Sequence, residues 1–218
     1  MSGFTGSPKL VRGGIVIADP VSLAVRRVIM LQYNPDSVTR TLQIQGAAAG
    51  GERSDALRLT GPAIETIKFD AELDATDALE TATGGSPAVE LGLHPQIALL
   101  EALLSPSVSD LVSSNTQAAG GSIEIAPAPA PLTIFVWSAQ RIMPVRITDF
   151  SVVEDGFDAN LNPIRARISL GMRVLSVDDL GFTHPGGTMF LAHLQRKEAN
   201  AAKATNAGLA ALGIGGIR

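Results

Sequence analysis

Three histidines, His94, His184 and His193, are the natural starting points for chemistry, because imidazole serves as metal ligand, general base and proton carrier near neutral pH. A metal site needs His, Cys or carboxylate side chains clustered at ligand spacing. His184 and His193 stand nine residues apart, a poor fit to one helix face, and His184-Pro185-Gly186-Gly187 reads as a break between them. The chain has no cysteine, which excludes disulfides, thiolate metal sites and a cysteine nucleophile. A serine nucleophile would want a base and an acid beside it, and no G-x-S-x-G elbow occurs. The acidic pairs Glu154-Asp155 and Asp178-Asp179 fall at strand ends and read as solvated turn residues. Gly46 to Gly51 is glycine-rich, but neither a lysine nor a helix start follows, so it is no phosphate cradle. No catalytic, metal-binding or cofactor-binding residue is assigned, and the expectation is a protein that is not an enzyme and uses no cofactor.

Three arginines carry a different possibility. Arg165, Arg167 and Arg173 share one parity of a stretch whose other parity is Ile164, Ala166, Ile168, Leu170, Met172 and Val174. Six apolar residues in alternation predict a long strand with one buried and one polar face. The arginines then line the polar face. They are candidates for a subunit interface or the wall of a lumen, or for a solvated sheet face paired with acids on a neighbouring strand.

Other elements must position that strand. Ile67, Phe69, Ala71 and Leu73 alternate with Lys68, Asp70 and Glu72, a half-solvated strand within 64–73. Leu132 to Ser138 is an apolar strand. Val145 to Val153 is another, with a phase slip near Asp149-Phe150 that predicts a bulge. The last forms a hairpin with 164–174 across a long, turn-rich connection, Glu154 to Pro163. Leu10 to Ile17 is a β-branched run with a bulge or turn at Gly13-Gly14, Val28 to Gln32 is a second apolar run, and Tyr33-Asn34-Pro35-Asp36 is a turn. Thr39 to Gln45 reads as a strand, and Gly46 to Ser54 as a flexible loop.

Between these strands lies an excursion, about 74–131. Gly84 to Pro87 reads as a turn, and His94 to Leu104 as a short helix with Pro95 in its first turn. Ser113 to Gly121 reads as a polar, glycine-rich stretch, and Ala126 to Pro131 as stiff and extended. After residue 177 the pattern changes: Thr188 to Ala204 is helix-compatible, and Gly208 to Arg218 is a small-residue tail that a partner would have to order. The domain reading is therefore 1–177 as one β domain and 178–218 as a helical, Gly/Ala-rich tail.

Composition sets outer limits. Of 218 residues, 45% are hydrophobic and only 4% aromatic, so the core must be aliphatic. The net charge of -4 lacks the basic surplus that nucleic-acid binding needs. No run of about 18 apolar residues is present, so no membrane insertion is expected, and Met1 to Lys9 does not read as a secretory leader.

The motifs also resemble a known family. Met30-Leu31-Gln32-Tyr33-Asn34-Pro35-Asp36 is similar to the opening of contractile injection system tube-type proteins. Leu59 to Asp74, Gly92 to Leu103, Pro131 to Trp137 and Phe157 to Leu170 follow in the family's order and spacing. The resemblance implies a mainly β (α+β), tail-tube-like antiparallel barrel or sandwich. It also implies a ring, a hexamer in the family, near the baseplate of a phage-tail-like particle. Its partners would be further copies of itself, the inner tube protein, the spike and other baseplate components. Assembly would take place in the cytoplasm of a bacterium, in a particle that is released or stays inside. Relatives often carry a LysM module after this domain; no such pattern follows Val177. Two other readings stand beside this one: a tail tube or baseplate protein of a contractile phage, and a carbohydrate- or peptidoglycan-binding β module, although one Trp and one Tyr leave little for sugar stacking.

Overall fold

The computed structural model of the chain describes residues 10–46, 58–81, 87–119 and 130–217. Strands β1 (Gly14–Ala18), β2 (Val25–Met30), β3 (Thr39–Gln43), β4 (Ile64–Asp74), β5 (Leu132–Ser138), β6 (Arg141–Phe157) and β7 (Pro163–Val174) form one sheet in the order β2-β1-β5-β6-β7-β4-β3. Every pairing in it is antiparallel. Helices α1 (Thr76–Thr81), α2 (Pro87–Leu91), α3 (His94–Glu101) and α4 (Val108–Ala119) occupy the excursion, and α5 (Val177–Leu180) and α6 (Pro185–Ala201) follow β7. The fold is mainly β with a few helices, as its alternating segments predict.

β7 lies inside this sheet, with a ladder on both sides, and its sequence alternates strictly. Ala166, Ile168, Leu170, Met172 and Val174 are buried, while Arg165, Arg167 and Ser169 are exposed. β4 repeats the pattern with Ile67, Phe69 and Ala71 inward. The predicted phase slip is present: the β6–β7 register shifts between Ile147 and Asp149. Gly171 sits opposite that bulge, and a Cβ there would stand 2.6 Å from Asp149 Oδ2.

The sheet is rolled. Phe69 on β4 and Phe135 on β5 stack at 5.6 Å, although β7 and β6 lie between their strands. In a flat sheet three strand spacings would separate them by about 14 Å. The margins meet as well. Gln32, just after β2, donates from Nε2 to the Asp74 carbonyl at 2.7 Å and accepts from the Asp74 amide at 3.0 Å. Leu31 and Val38, beside the two margin strands, share the core of Ile67, Phe135, Met143 and Ile168. A second apolar cluster, Ala75, Leu93, Ile97 and Ala166, closes the end of the roll under α3. A third, Ala18, Leu132 and Ile134 with Leu180 and Met189, lies against α5 and α6.

Several expectations need correction. Gly13-Gly14 makes no bulge; the β1–β2 register shifts at Ile17/Ala18 instead. Gly13 is small because Trp137 packs on it, leaving a Cβ only 2.7 Å from the indole. Glu154 to Phe157 is not part of a long loop but continues β6, and the hairpin turns over residues 158–162 alone. Asp158 holds that turn, its Oδ1 accepting from the amides of Asn160 and Asn162 at 2.7 and 2.8 Å. Within 113–121, residues up to Ala119 are helical, as part of α4. His184 to Gly187 is not a break: Pro185 opens α6, and His184 Nδ1 accepts the Gly186 amide at 3.0 Å as its cap. The loop read at Gly46 to Ser54, the Gly84 to Pro87 turn and the Ala126 to Pro131 stretch lie wholly or mostly outside the described residues.

Candidate assembly interface

The three singled-out arginines stand on the outer face of β7, and two of them run into acids on β4. Register places Arg165 opposite Asp74 and Arg167 opposite Glu72. The ion-pair distances are 3.3 and 3.7 Å, and all four side chains except Asp74 are well exposed. Arg173 lies apart. It is half-buried and donates from Nη2 to Asp179 of α5 at 2.9 Å. Between them Ser169 Oγ donates to Asp70 Oδ1 at 2.6 Å, and Lys68 reaches over Gly171 to Asp149 at 3.4 Å. The face is thus a balanced ladder of opposite charges, each exposed pair contributing less than about 1 kcal/mol. It does not bring the arginines together as one cationic cluster.

The margins of the sheet differ from this face. β2 pairs only with β1 and β3 only with β4, so each leaves one edge open among the described residues. β6 is open too: β5 covers Arg141 to Val145, and from Arg146 to Phe157 its ladder runs to β7 alone. β2 carries no proline and no lysine, and it exposes Val25, Val28 and Met30, each more than 60% accessible. With exposed aliphatics flanking two arginines, Arg26 and Arg27, this open edge is only partly guarded, and such edges are what isolated proteins avoid and assembling ones use. Composition could not show this, because an apolar run looks the same whether its own fold or a neighbour covers it.

A further cluster was invisible in the periodicity. Glu65 sits on the inward parity of β4 and is 3% exposed. Arg40 Nε of β3 and Lys197 Nζ of α6 donate to its two oxygens, each at 2.6 Å. Burial alone would push the Glu65 carboxyl up, but these two bonds outweigh it and hold it below the usual range. His193, one turn before Lys197, is 2% exposed with neither ring nitrogen bonded. Burial, then the Lys197 charge, lowers its pKa to about 4. The signal in the sequence was a glutamate at position 65 in phase with Ile67, Phe69 and Ala71.

The remaining candidates have local duties. His184 caps α6, and Asp179 completes the capping box of α5 with Ser176. Glu154 and Asp155 are exposed on β6. Among the described residues no group of three or more His, Cys, Asp or Glu side chains could hold a metal ion. No described helix is long and apolar enough to cross a membrane.

The segments quoted for the family resemblance touch one another. Gln32 binds the Asp74 backbone, and Asn34 accepts the Gly13 amide and donates to the Val11 carbonyl, both at 2.9 Å. The Leu93 amide donates to the Pro163 carbonyl at 2.9 Å, and the Ala75 amide to Ile164 at 2.9 Å. Gly92 has φ +55°, and a Cβ there would stand 2.5 Å from the Pro163 oxygen. Side-chain amides, a left-handed glycine and a proline therefore join the start, middle and end of the sheet.

No family model matches the chain, and no curated protein matches it. Among solved structures, it is similar to a chain in the tail of an empty GTA (gene transfer agent) particle, computed with helical refinement in C6 symmetry. That similarity is 10% identity over 75% of this chain and 90% of the other, with a TM-score of 0.28. A likeness at that level assigns neither family nor role.

Proposed function

We propose that the chain is a structural subunit of a phage-tail-like contractile injection system. It would form a ring at the baseplate end that joins the inner tube to the spike and starts tube assembly. The observation that carries this reading is the rolled antiparallel sheet with unpaired margins, above all the exposed edge of β2. Rings of like subunits cover such edges without further devices. The ordered motif set adds to it, since its residues are the ones that latch the roll. The work needs no covalent chemistry. The ring would be a hexamer, with the inner tube, spike and baseplate proteins as neighbours. The alternative within the same class is a tail tube or baseplate subunit of a contractile phage.

The test is to tag the chain in its native host, isolate particles and locate the label by electron microscopy. Label at one end of sheathed particles is the expected result. Label along the whole length would make the chain a tube subunit instead, and label on no particle would overturn the assembly reading.

A further inference from the structure

Two open edges of the sheet carry opposite, unspent charge. On β2, Arg26 is tied back to Asp19, but Arg27 is exposed and has no acidic partner among the described residues. On the far half of β6, Ser151 to Phe157, Glu154 and Asp155 are exposed and without an ion pair: Glu154 lies opposite Ala166, and Arg165, opposite Asp155, turns to Asp74 instead. Both stretches lack proline, so no amide that points out of the open edge is missing. Both also present apolar side chains outward: Val28 and Met30 on β2, Val153 and Phe157 on β6.

Self-pairing is disfavoured on either edge. In a centred two-fold pairing, two β2 strands would set the arginines of one copy beside those of the other, and two β6 edges would do the same with Glu154 and Asp155. Like charges across a ladder destabilise it, and opposite charges support it. The margin β3 offers less, for its one charge, Arg40, is already committed to Glu65.

From these charges we infer that β2 of one copy adds antiparallel to the Ser151–Phe157 edge of β6 on the next, head to tail, with Arg27 facing Glu154 and Val28 opposite Val153. This rests on the reading of the chain as an assembly subunit and names the surfaces that would carry it. A head-to-tail contact closes into a ring when its rotation divides a full turn, and otherwise builds a helical filament.

The natural chain has no cysteine, so placed thiols give an unambiguous readout. Val28→Cys and Val153→Cys, both on exposed positions, are introduced together into the full chain. The purified protein is treated with a short bismaleimide at assembling concentration. The expected product is a ladder of dimers, trimers and higher species from the double variant, with monomer only from each single variant. Arg27→Glu should cut the ladder about tenfold, and adding Glu154→Arg should restore it. Efficient dimers from Val28→Cys alone would overturn the inference in favour of a symmetric contact, and no ladder from the double variant would overturn it outright. Because the purified chain is measured, a ladder without particle label would sink the injection-system reading alone, and particle label without a ladder would sink this edge assignment alone.

Discussion

Strand β4 runs between two closures built on different physics. At its far end, Asp74 and Ala75 meet Gln32, Ile164 and the apolar cluster of Leu93 and Ile97 under α3. Nine residues earlier, about 30 Å along an extended chain, Glu65 is clasped between Arg40 of β3 and Lys197 of α6, beside the buried His193. The first closure works mainly through amide hydrogen bonds and aliphatic burial, which change little between pH 5 and pH 8. The second uses buried charge, which repays its desolvation only while every partner is present. The comparison teaches that one end of the roll is a fixed joint and the other is conditional.

Truncating each end should expose that difference. Leu93→Ala should cost about 3 kcal/mol through lost burial and a cavity, read as a fall in Tm that is the same at pH 5 and pH 8. Glu65→Ala should cost about 3 kcal/mol at pH 8 by stranding Arg40 and Lys197, and less at low pH. Equal pH behaviour in the two variants would break the contrast.

Titration sharpens it further. His193 has a folded pKa of about 4 against an ordinary value of 6.5, so the unfolded chain takes up the proton first. Its contribution to stability is whole above pH 6.5 and is lost as pH falls towards 4. Glu65, whose folded value is lowered, loses its contribution as pH falls through that lowered value. Both act in the same direction, and acid should loosen the α6 end first. His193→Phe should flatten the decline between pH 6.5 and 4, measured by thermal unfolding across that range.

A smaller effect is expected at the latch. Gln32→Ala removes two hydrogen bonds to the Asp74 backbone and should cost about 1–2 kcal/mol, with faster amide exchange at Asp74 as its signature. Smallest of all is the outer face. Arg165→Glu with Arg167→Glu should shift monomer stability by less than about 1 kcal/mol, yet reduce particle yield if that face touches a neighbour. Arg173 is left in place in this test because it holds Asp179.

What was legible in the sequence follows the same division. β7 was readable because a central strand with one wet face must alternate, and Arg165 and Arg167 fell where the alternation put them. Glu65 was not, because hydropathy treats any charge as outward, and only the three-dimensional meeting of β3, β4 and α6 makes an inward one tolerable. α4 was misread from its polar run, although Ser107 accepts the Asp110 amide at 3.1 Å, a cap that Ser107 and Asp110 announce by their spacing. The first turn of α6 was misread because paired glycines suggest a break. Here Gly187 is small because a Cβ would collide with the Gly181 carbonyl. The end of β6 was read as loop because its composition is polar; its order comes from β7 alongside it.

The central claim is that the open edges of this sheet are covered by other copies of the chain. Hydrogen exchange followed residue by residue in dispersed chain and in assembled particles tests it most directly, with β7 as the internal reference. The account predicts slow exchange in β7 in both states, and protection of Val25–Met30 that appears only on assembly. Exchange in β2 that stays fast in the assembled state would contradict it.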